Sequence, residues 1–444
     1  MIVIDLFSGA GGLSEGFHRE GYKIIAQVEK DKWACETLKT RNFYHFLKEK
    51  NDTALYNEFL LRSENYGSIE DNREIVYKKY PELREKIRYE ILNKKFGNPQ
   101  NDSEATSSRE VIKLIQDSMI YNNVNKVDLI IGGPPCQAYS LVGRSRMKDS
   151  AEKDFRNYLF YYYLNIVKEF QPTAFVFENV PGILNAKKGK VFEAIKEEFA
   201  RIGYTILSGK SEIDRENVID FANYGVHQSR KRVLLFGYKS SLNLPYPDFS
   251  KFKFIWGEEG CTSNVIADLP RLQPNEGCDG KLITYEQFSN LNLSAYQRYL
   301  RRDSLGIINH KARAINPRDR EIYRIAIQKA IMGEQLKYSD LPEELQTHKN
   351  KDSFLDRFKV HFDNKVPHTV VAHIAKDGHY NIHPDIGQCR SITVREAARI
   401  QGFPDNFKFE GPRTAQYVQV GNAVPPVMSD VIAKAIGELL RTHI

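Results

Sequence analysis

Cys136 lies in an unusual setting for a packing cysteine: the stretch GGPPCQAYS, which directly follows the apolar run VDLII. The run predicts a buried strand. The two prolines after it indicate a rigid turn at the strand end, because proline lacks a backbone donor and has a fixed φ. Most isolated cysteines are structural, but a buried packing cysteine has no need of such a turn. A nucleophilic thiol does need a defined position and neighbours that favour the thiolate. We therefore predict that Cys136 is a nucleophile.

Polar side chains at two further strand ends could act with this thiol. FENVPG and HQSRKR supply, in order, Glu178, Asn179, Gln228, Arg230 and Arg232. A carboxyl group beside a nucleophile can bind or protonate the group under attack, and guanidiniums can hold an oxygen on which negative charge develops. We expect Asn179 to orient Glu178, and the thiol, the carboxyl group and the two guanidiniums to converge at one edge of a sheet.

The stretch DLFSGAGG predicts a glycine turn after the first strand, IVIDLF. Ser14 stands where a dinucleotide-binding loop would have its third glycine, so this is not a pyrophosphate cradle. Glu29 ends the second predicted strand, 20 residues after Gly9, where such folds place an acid for ribose hydroxyls. Either the loop is a simple tight turn, or it binds a nucleoside without phosphates. S-adenosylmethionine fits the second reading, with Phe7 against the adenine.

These motifs depend on elements that alternate between strands and helices over residues 1–240. The alternation predicts an α/β fold with a mostly parallel sheet and helices on both faces, and ligands in such sheets bind at the carboxyl ends of the strands. Residues 43–126 interrupt the pattern with charge and tyrosine and indicate an inserted subdomain. Residues 241–387 lose the alternation and predict a smaller, irregular domain. Within 298–330, nine Lys and Arg residues against three Asp and Glu are interleaved with tyrosines, as in nucleic-acid-binding proteins.

The bulk composition narrows the class of protein. The 444 residues carry 64 basic and 57 acidic side chains, a net charge of +7, and five scattered cysteines without zinc-site spacing. That cysteine pattern suits a reduced compartment, and the N-terminus lacks the features of a signal peptide, so we expect a cytoplasmic protein without a membrane span. The histidines near residue 375 lack metal-site spacing, and we predict no metal. We expect phosphate contacts or packing between the lobes from His368, His373, His379 and His383, and phosphate contacts from Lys376 and Arg390.

Six stretches carry a resemblance to a known family. In chain order they are DLFSGAGGLSEGF, GGPPCQAYS, FENVPG, QSRKR, RSITVREAARIQGFPDNF and QVGNAVPP. Together they resemble the motifs of the DNA (cytosine-5) methyltransferases, of the bacterial restriction-modification type. The resemblance implies an S-adenosylmethionine-dependent, Rossmann-like catalytic domain over 1–240 and a target recognition domain over 241–387. It also implies a C-terminal segment, 388–444, that returns to the catalytic domain.

The resemblance also implies residue roles. Cys136 would add to carbon 6 of a flipped cytosine, Glu178 would bind the ring N3 and amine, and Arg230 and Arg232 would hold the 2-oxo group. The stretch SLVGRSRMKDS would close over the base. Residues expected at S-adenosylmethionine are Phe7, Ser8, Gly9, Ala10, Gly12, Glu29, Lys30, Pro135, Leu159, Asn422 and Ala423. No residue is assigned to the adenine amine, because SSREVIKLI shows no aspartate at its start.

We therefore expect a monomeric enzyme that methylates cytosine in double-stranded DNA, with a cognate restriction endonuclease encoded separately. Three alternatives stay open at this point. The substrate could be transfer RNA, although the long irregular domain favours duplex DNA, since reading a sequence needs room for base contacts. The protein could be a catalytically silent DNA-binding paralogue, against which the joint presence of Cys136, Glu178, Gln228 and both arginines argues. A nicotinamide-dependent dehydrogenase is the weakest alternative because of Ser14.

Overall fold

The computed structural model describes residues 1–62, 68–134, 159–208, 218–258, 260–288, 292–346 and 355–443. The strands in these ranges are β1 Ile2–Leu6, β2 Lys23–Glu29, β3 Ile91–Asn93, β4 Lys95–Phe96, β5 Ala105–Thr106, β6 Leu129–Gly132, β7 Ala174–Asn179, β8 Tyr204–Ser208, β9 Ile219–Asp220, β10 Lys231–Lys239, β11 Gly277–Cys278, β12 Ile283–Thr284, β13 Gly306–Ile307 and β14 His310–Lys311.

The α-helices of the same ranges are α1 Gly12–Arg19, α2 Lys32–Glu49, α3 Thr53–Arg62, α4 Ile69–Lys79, α5 Glu82–Glu90, α6 Ser108–Tyr121, α7 Leu159–Phe170, α8 Gly182–Asn185, α9 Lys190–Arg201, α10 Ser263–Ile266, α11 Ala295–Arg301, α12 Pro317–Ile331, α13 Val394–Ile400, α14 Arg413–Asn422 and α15 Pro426–His443. None of these helices is both long and apolar enough to cross a membrane.

The main sheet has the strand order β3-β2-β1-β6-β7-β10-β8, with β9 paired to β10. The first five strands of this order are parallel, which confirms the predicted mostly parallel α/β fold. Strand β10 departs from the regular pattern, because it runs antiparallel to both β7 and β8. The described part of the chain between β8 and β10 contains no α-helix that could cross over the sheet, and a parallel return needs such a crossover.

Alternate residues of each strand supply the two faces of the sheet. Ile4 and Leu6 of β1 pack with the cover formed by α6, α7 and α9, whereas Val3 packs with α1 and α15 on the other face. This period of two is what a strand buried on both sides requires. The C-terminal helix lies against the first helix, and the amide of Gly16 donates to Ser429 Oγ at 3.2 Å.

Only part of 43–126 lies outside the sheet. Strand β3 extends it beside β2, and α6 covers it, so the additional layer consists of α3, α4 and α5. This layer shares an apolar core with α2 and with Leu282 and Ile308 of the later chain. The Tyr56 hydroxyl also donates to the backbone carbonyl of Asn406 at 2.9 Å. The layer is therefore tied to the C-terminal half of the protein.

Residues 241–387 form short strand pairs, β11 with β14 and β12 with β13, around helices α10, α11 and α12. Some of the basic side chains in this region form contacts within the protein. Arg301 forms a buried ion pair with Asp268, and Arg313 donates to the carbonyl of Ile374 at 2.9 Å. Exposed basic side chains of the same stretch are Arg298, Arg302, Arg318 and Arg324.

Candidate active site

The antiparallel pairing of β7 with β10 brings Arg232 next to Glu178. In the register of the two strands, Leu234 lies opposite Glu178 and Val233 opposite Asn179. The end of β7 therefore meets the beginning of β10, and Nε of Arg232 lies 2.9 Å from Oε1 of Glu178. Each side chain is 13% exposed, so this ion pair is largely shielded from solvent.

The turn after β6 passes directly beside the Glu178 carboxylate. A Cβ atom on Gly133 would lie only 3.2 Å from both Glu178 Oε2 and the carbonyl oxygen of Glu178, so the two segments are in close contact. Asn179 holds the same turn, because its Nδ2 donates to the carbonyl of Pro134 at 3.2 Å while its Oδ1 accepts from the amide of Val180. Thus Asn179 ties β7 to the turn that leads to the predicted nucleophile. Pro135, Cys136 and the stretch 140–150 lie outside the described residues.

Arg230 forms no ion pair with Glu178 among the described contacts, although the Glu178 charge is close enough to act on its pKa. Its guanidinium is buried and donates to the carbonyls of Val370 at 3.2 Å and Gly421 at 3.4 Å. Burial, together with the charge of Arg232, lowers the pKa of Arg230. The structure therefore brings Arg232, but not Arg230, into contact with the carboxylate.

Gln228 is also buried and links three segments of the chain. Its Oε1 accepts from the amide of Val370 at 2.7 Å, and its Nε2 donates to Oε1 of Gln401 and to the carbonyl of Ile400. This side chain joins the strand that carries Arg232 to helix α13 and to the segment before it.

The loop between β1 and α1 has a backbone that glycine favours. Phe7, Gly9 and Gly11 have φ angles of 58°, 55° and 89°. Glu29 holds this loop: Oε2 accepts from the amide of Gly9 at 2.9 Å, and Oε1 accepts from the amide of Asp31 at 2.8 Å. Each carboxylate oxygen can accept a second hydrogen bond, which leaves acceptors for a diol. Burial raises the pKa of Glu29.

Apolar side chains form a wall next to this loop. The ring of Phe7 lies 5.2 Å from the ring of Phe96, which in turn lies 5.6 Å from Tyr162 on α7. Leu159, the first residue of α7, is buried in the same cluster. Phe96 could not be predicted as part of this wall, because it lies between β3 and α6, where no hydrophobic periodicity indicates a strand. The one local indication in the sequence is an aromatic residue directly before a glycine.

The C-terminal segment closes against the start of α1. A Cβ atom on Gly12 would lie 2.3 Å from the carbonyl oxygen of Val424 and 3.0 Å from Cβ of Ala423. Ala10 is buried nearby, whereas Asn422 and Lys30 are exposed. Ser8 supports the loop from inside, since its hydroxyl donates to the carbonyl of Asp5 at 2.9 Å.

His368, His379 and His383 have partners or are buried inside the protein, whereas His373 is exposed. His368 is hydrogen-bonded to the carbonyl of Tyr380, His379 to the hydroxyl of Tyr323, and His383 is buried. Within the part of the chain that the structure describes, no three His, Cys, Asp or Glu residues are arranged to hold a metal ion.

Arg390 is fully buried and forms two hydrogen bonds, at 2.7 and 2.8 Å, with the Glu396 carboxylate. The phosphate contact predicted for it is therefore wrong, because its charge is already neutralised inside the protein. Lys376 is exposed.

Comparisons with known proteins identify the family of this chain. The profile of the family described as C-5 cytosine-specific DNA methylase matches residues 1–64 and 82–438, so the unmatched stretch falls in the layer of α3 to α5. The chain is 64% identical to the type II methyltransferase M.Bpa9945I of Bacillus paralicheniformis over 444 residues, 100% of both chains. It is 32% identical to the type II methyltransferase M.DdeI of Desulfomicrobium norvegicum, covering 98% of this chain and 88% of that one.

A similar fold occurs among solved structures. One is the crystal structure of a prophage-encoded protein of E. coli described as a DNA modification methyltransferase. It has a TM-score of 0.60 and 22% identity over 99% of both chains. A methyltransferase of Entamoeba histolytica has a TM-score of 0.50 and 16% identity over 99% of this chain and 98% of that one. These likenesses concern the fold.

Proposed function

The chain belongs to the C-5 cytosine-specific DNA methylase family and is a DNA (cytosine-5) methyltransferase, and from this premise we propose that it methylates one cytosine of a specific duplex sequence with Cys136 as nucleophile. The observation that carries the proposal is the shielded ion pair between Arg232 and Glu178, directly beside the turn that leads to Cys136. A pyrimidine ring needs a carboxyl group and a guanidinium of this kind at its N3 and 2-oxo positions.

Carbon 5 of cytosine is a poor nucleophile while the ring is aromatic. The Cys136 thiolate adds to carbon 6, and the electron pair of the 5,6 double bond becomes available at carbon 5. Glu178 binds N3 and the exocyclic amine and stabilises the proton that N3 gains during the addition. Bound S-adenosylmethionine would supply an electrophilic methyl group for carbon 5, with S-adenosylhomocysteine as the leaving group. Loss of the carbon 5 proton then restores the double bond and expels the Cys136 thiolate.

Arg232 is suited to hold the 2-oxo group. Its guanidinium has five N–H donors, of which one faces Glu178 and another donates to the carbonyl of Lys231 at 2.8 Å. The remaining donors can reach an oxygen on which negative charge develops. Arg230, which donates to Val370 and Gly421, acts as a positioning residue that holds the later segments against β10.

The residues around the β1–α1 loop fit S-adenosylmethionine. Glu29 has acceptors left for the ribose hydroxyls, a Cβ atom on Gly9 would have no neighbour within 4 Å, and Phe7 offers an aromatic face for the adenine. Leu159 extends the apolar wall, and Ser8, Gly9, Ala10, Gly12 and Ala423 shape the loop and its cover. Pro135, Lys30 and Asn422 remain proposed neighbours on the family resemblance.

The DNA substrate must present its cytosine outside the helix, because the reacting carbons are inaccessible in a base pair; flipping costs a few kcal/mol. The exposed arginines Arg298, Arg302, Arg318 and Arg324 are candidates for phosphate contacts in the recognition domain. Relatives named type II methyltransferases support modification of host DNA against a cognate restriction endonuclease. We propose that the enzyme acts as a monomer.

Bisulfite sequencing of DNA from a host that expresses the protein tests this proposal. We expect 5-methylcytosine at one recurrent sequence with the wild type and none with Cys136→Ala. Methylation that is absent from DNA but present in transfer RNA would overturn the assignment of the substrate. Equal methylation by the Cys136→Ala variant would overturn the assignment of the nucleophile.

A further inference from the structure

A buried carboxyl group that the proposed mechanism does not use lies below the cofactor loop. Asp5 belongs to β1 in the middle of the sheet, opposite Gln27 of β2 and Ile131 of β6. It is 0% exposed, and neither of its carboxyl oxygens accepts a hydrogen bond from a residue that the structure describes. An ionised carboxylate without donors is expensive to bury, so such a group takes up a proton instead.

The donors around Asp5 are engaged in holding the loop. Ser14 Oγ donates to the carbonyl of Gly11 at 3.2 Å, and Gln27 Nε2 donates to Ser14 Oγ at 2.8 Å. Asn42 Nδ2 continues this chain by donating to Gln27 Oε1 at 3.0 Å. Of the two hydroxyls that could stabilise an ionised Asp5, that of Ser14 is therefore engaged with the carbonyl of Gly11, and that of Ser8 donates to the backbone carbonyl of Asp5.

The balance of forces on Asp5 favours the neutral acid. Burial raises the pKa of Asp5 to about 7 and outweighs the nearby Ser14, Ser8 and Gln27 side chains, which lower it. Among the residues that the structure describes, the charged neighbour is Glu29 at the end of β2, which raises the pKa further, and Tyr163 of α7 is the other titratable neighbour.

The carboxyl group on the adjacent helix does not compete with Asp5. Glu15 of α1 is turned towards Arg41 of α2, whose Nη2 lies 2.6 Å from Glu15 Oε1.

We infer that Asp5 is a positioning residue for the cofactor loop and that it performs this role as a neutral carboxylic acid. As long as Asp5 keeps its proton, the Ser14 hydroxyl stays on the carbonyl of Gly11 and the loop keeps its shape. When Asp5 releases the proton to solvent, the carboxylate competes for the Ser14 hydroxyl, and the loop loses that hydrogen bond. This inference rests on the proposed S-adenosylmethionine site.

Calorimetric titration with S-adenosylhomocysteine between pH 6 and pH 9 tests it. Above about pH 7 we expect the affinity of the wild type to fall by up to about tenfold per pH unit, with uptake of about 0.9 proton at pH 8, because only the neutral form binds well. Asp5→Asn keeps an uncharged polar group of the same shape. At pH 6.5 this variant should bind S-adenosylhomocysteine with an affinity within about threefold of that of the wild type. It should lose the pH dependence of the affinity and the uptake of a proton, except for protons exchanged by the amine of the ligand itself.

Asp128→Asn is the matched control, because Asp128 accepts from the amide of Ile2 at the opposite end of β1. It should retain the pH dependence of the wild type. A flat wild-type profile, or an Asp5→Asn variant with an unchanged one, would overturn the inference. If Asp5→Asn does not fold, the wild-type profile with 5′-methylthioadenosine, which lacks the titratable α-amino group, provides the same test: a flat profile would overturn the inference. Absence of any nucleoside binding at all pH values would instead refute the cofactor site.

Discussion

Replacing Arg232 with methionine removes the guanidinium next to Glu178 and keeps an apolar stem of similar length. The two charged groups are 2.9 Å apart and each side chain is 13% exposed. With an effective dielectric constant of about 20 their attraction is about 6 kcal/mol, from which the cost of desolvating both charges must be subtracted. Loss of one preorganised donor where charge develops costs about 3 kcal/mol of transition-state stabilisation, a factor of about 10² in kcat. We expect this loss in kcat, while the KM for DNA changes by less than about threefold.

The assay is transfer of a radiolabelled methyl group to duplex DNA under single-turnover conditions. Lys231→Met is the matched control, because Lys231 is the exposed neighbour of Arg232 on β10 and the substitution removes the same charge. That control should keep its rate. If Arg232→Met retained a rate within about threefold of the wild type, or if both variants lost the same amount, the assigned role of Arg232 would be refuted.

Three further predictions concern other parts of the protein. Glu178→Gln should bind duplex DNA normally but lose most of its turnover, since the amide cannot stabilise the proton gained at N3; unchanged turnover would contradict this. Arg399→Met removes the buried guanidinium that pairs with both Asp268 and Asp405; Asp268 keeps its ion pair with Arg301, whereas Asp405 loses its nearest cation. The variant should lower the free energy of unfolding by about 3–5 kcal/mol in urea titrations, whereas a loss below about 1 kcal/mol would speak against a structural role. Burial lowers the pKa of His310 to about 4, below its usual value of about 6.5, so stability is lost as the pH falls through this window. Thermal unfolding between pH 8 and pH 4 should show this loss, and His310→Gln should reduce it; an identical profile in the variant would rule His310 out as the cause.

The placement of the motifs could be predicted because it depends on local signals and one rule of sheet geometry. Apolar runs in the sequence predicted strands β1, β2 and β7. Phe7, Glu29 and Glu178 lie at the ends of these strands. Parallel strands present their carboxyl ends at one edge, so the residues that follow them become neighbours. This rule is sufficient to predict that the cofactor loop and Glu178 lie at the same edge of the sheet.

The different environments of Arg230 and Arg232 could not be predicted from the sequence. Both are arginines, two positions apart, at the beginning of one strand. Arg230 is buried because Val370 and Gly421, which lie 140 and 191 residues away in sequence, pack over it. Arg232 meets Glu178 because β10 runs antiparallel to β7, which no local pattern indicated. The same lack of long-range information made Arg390 look like a phosphate ligand.

Trapping the covalent complex tests the central claim most directly. DNA that contains 5-fluorocytosine at the methylated position, together with S-adenosylmethionine, should give a stable adduct, since fluorine cannot leave as the carbon 5 proton does. Mass spectrometry of the digested adduct should place the nucleotide on Cys136, and Cys136→Ala should give no adduct. A nucleotide on any other side chain, or an adduct formed equally by Cys136→Ala, would contradict the account.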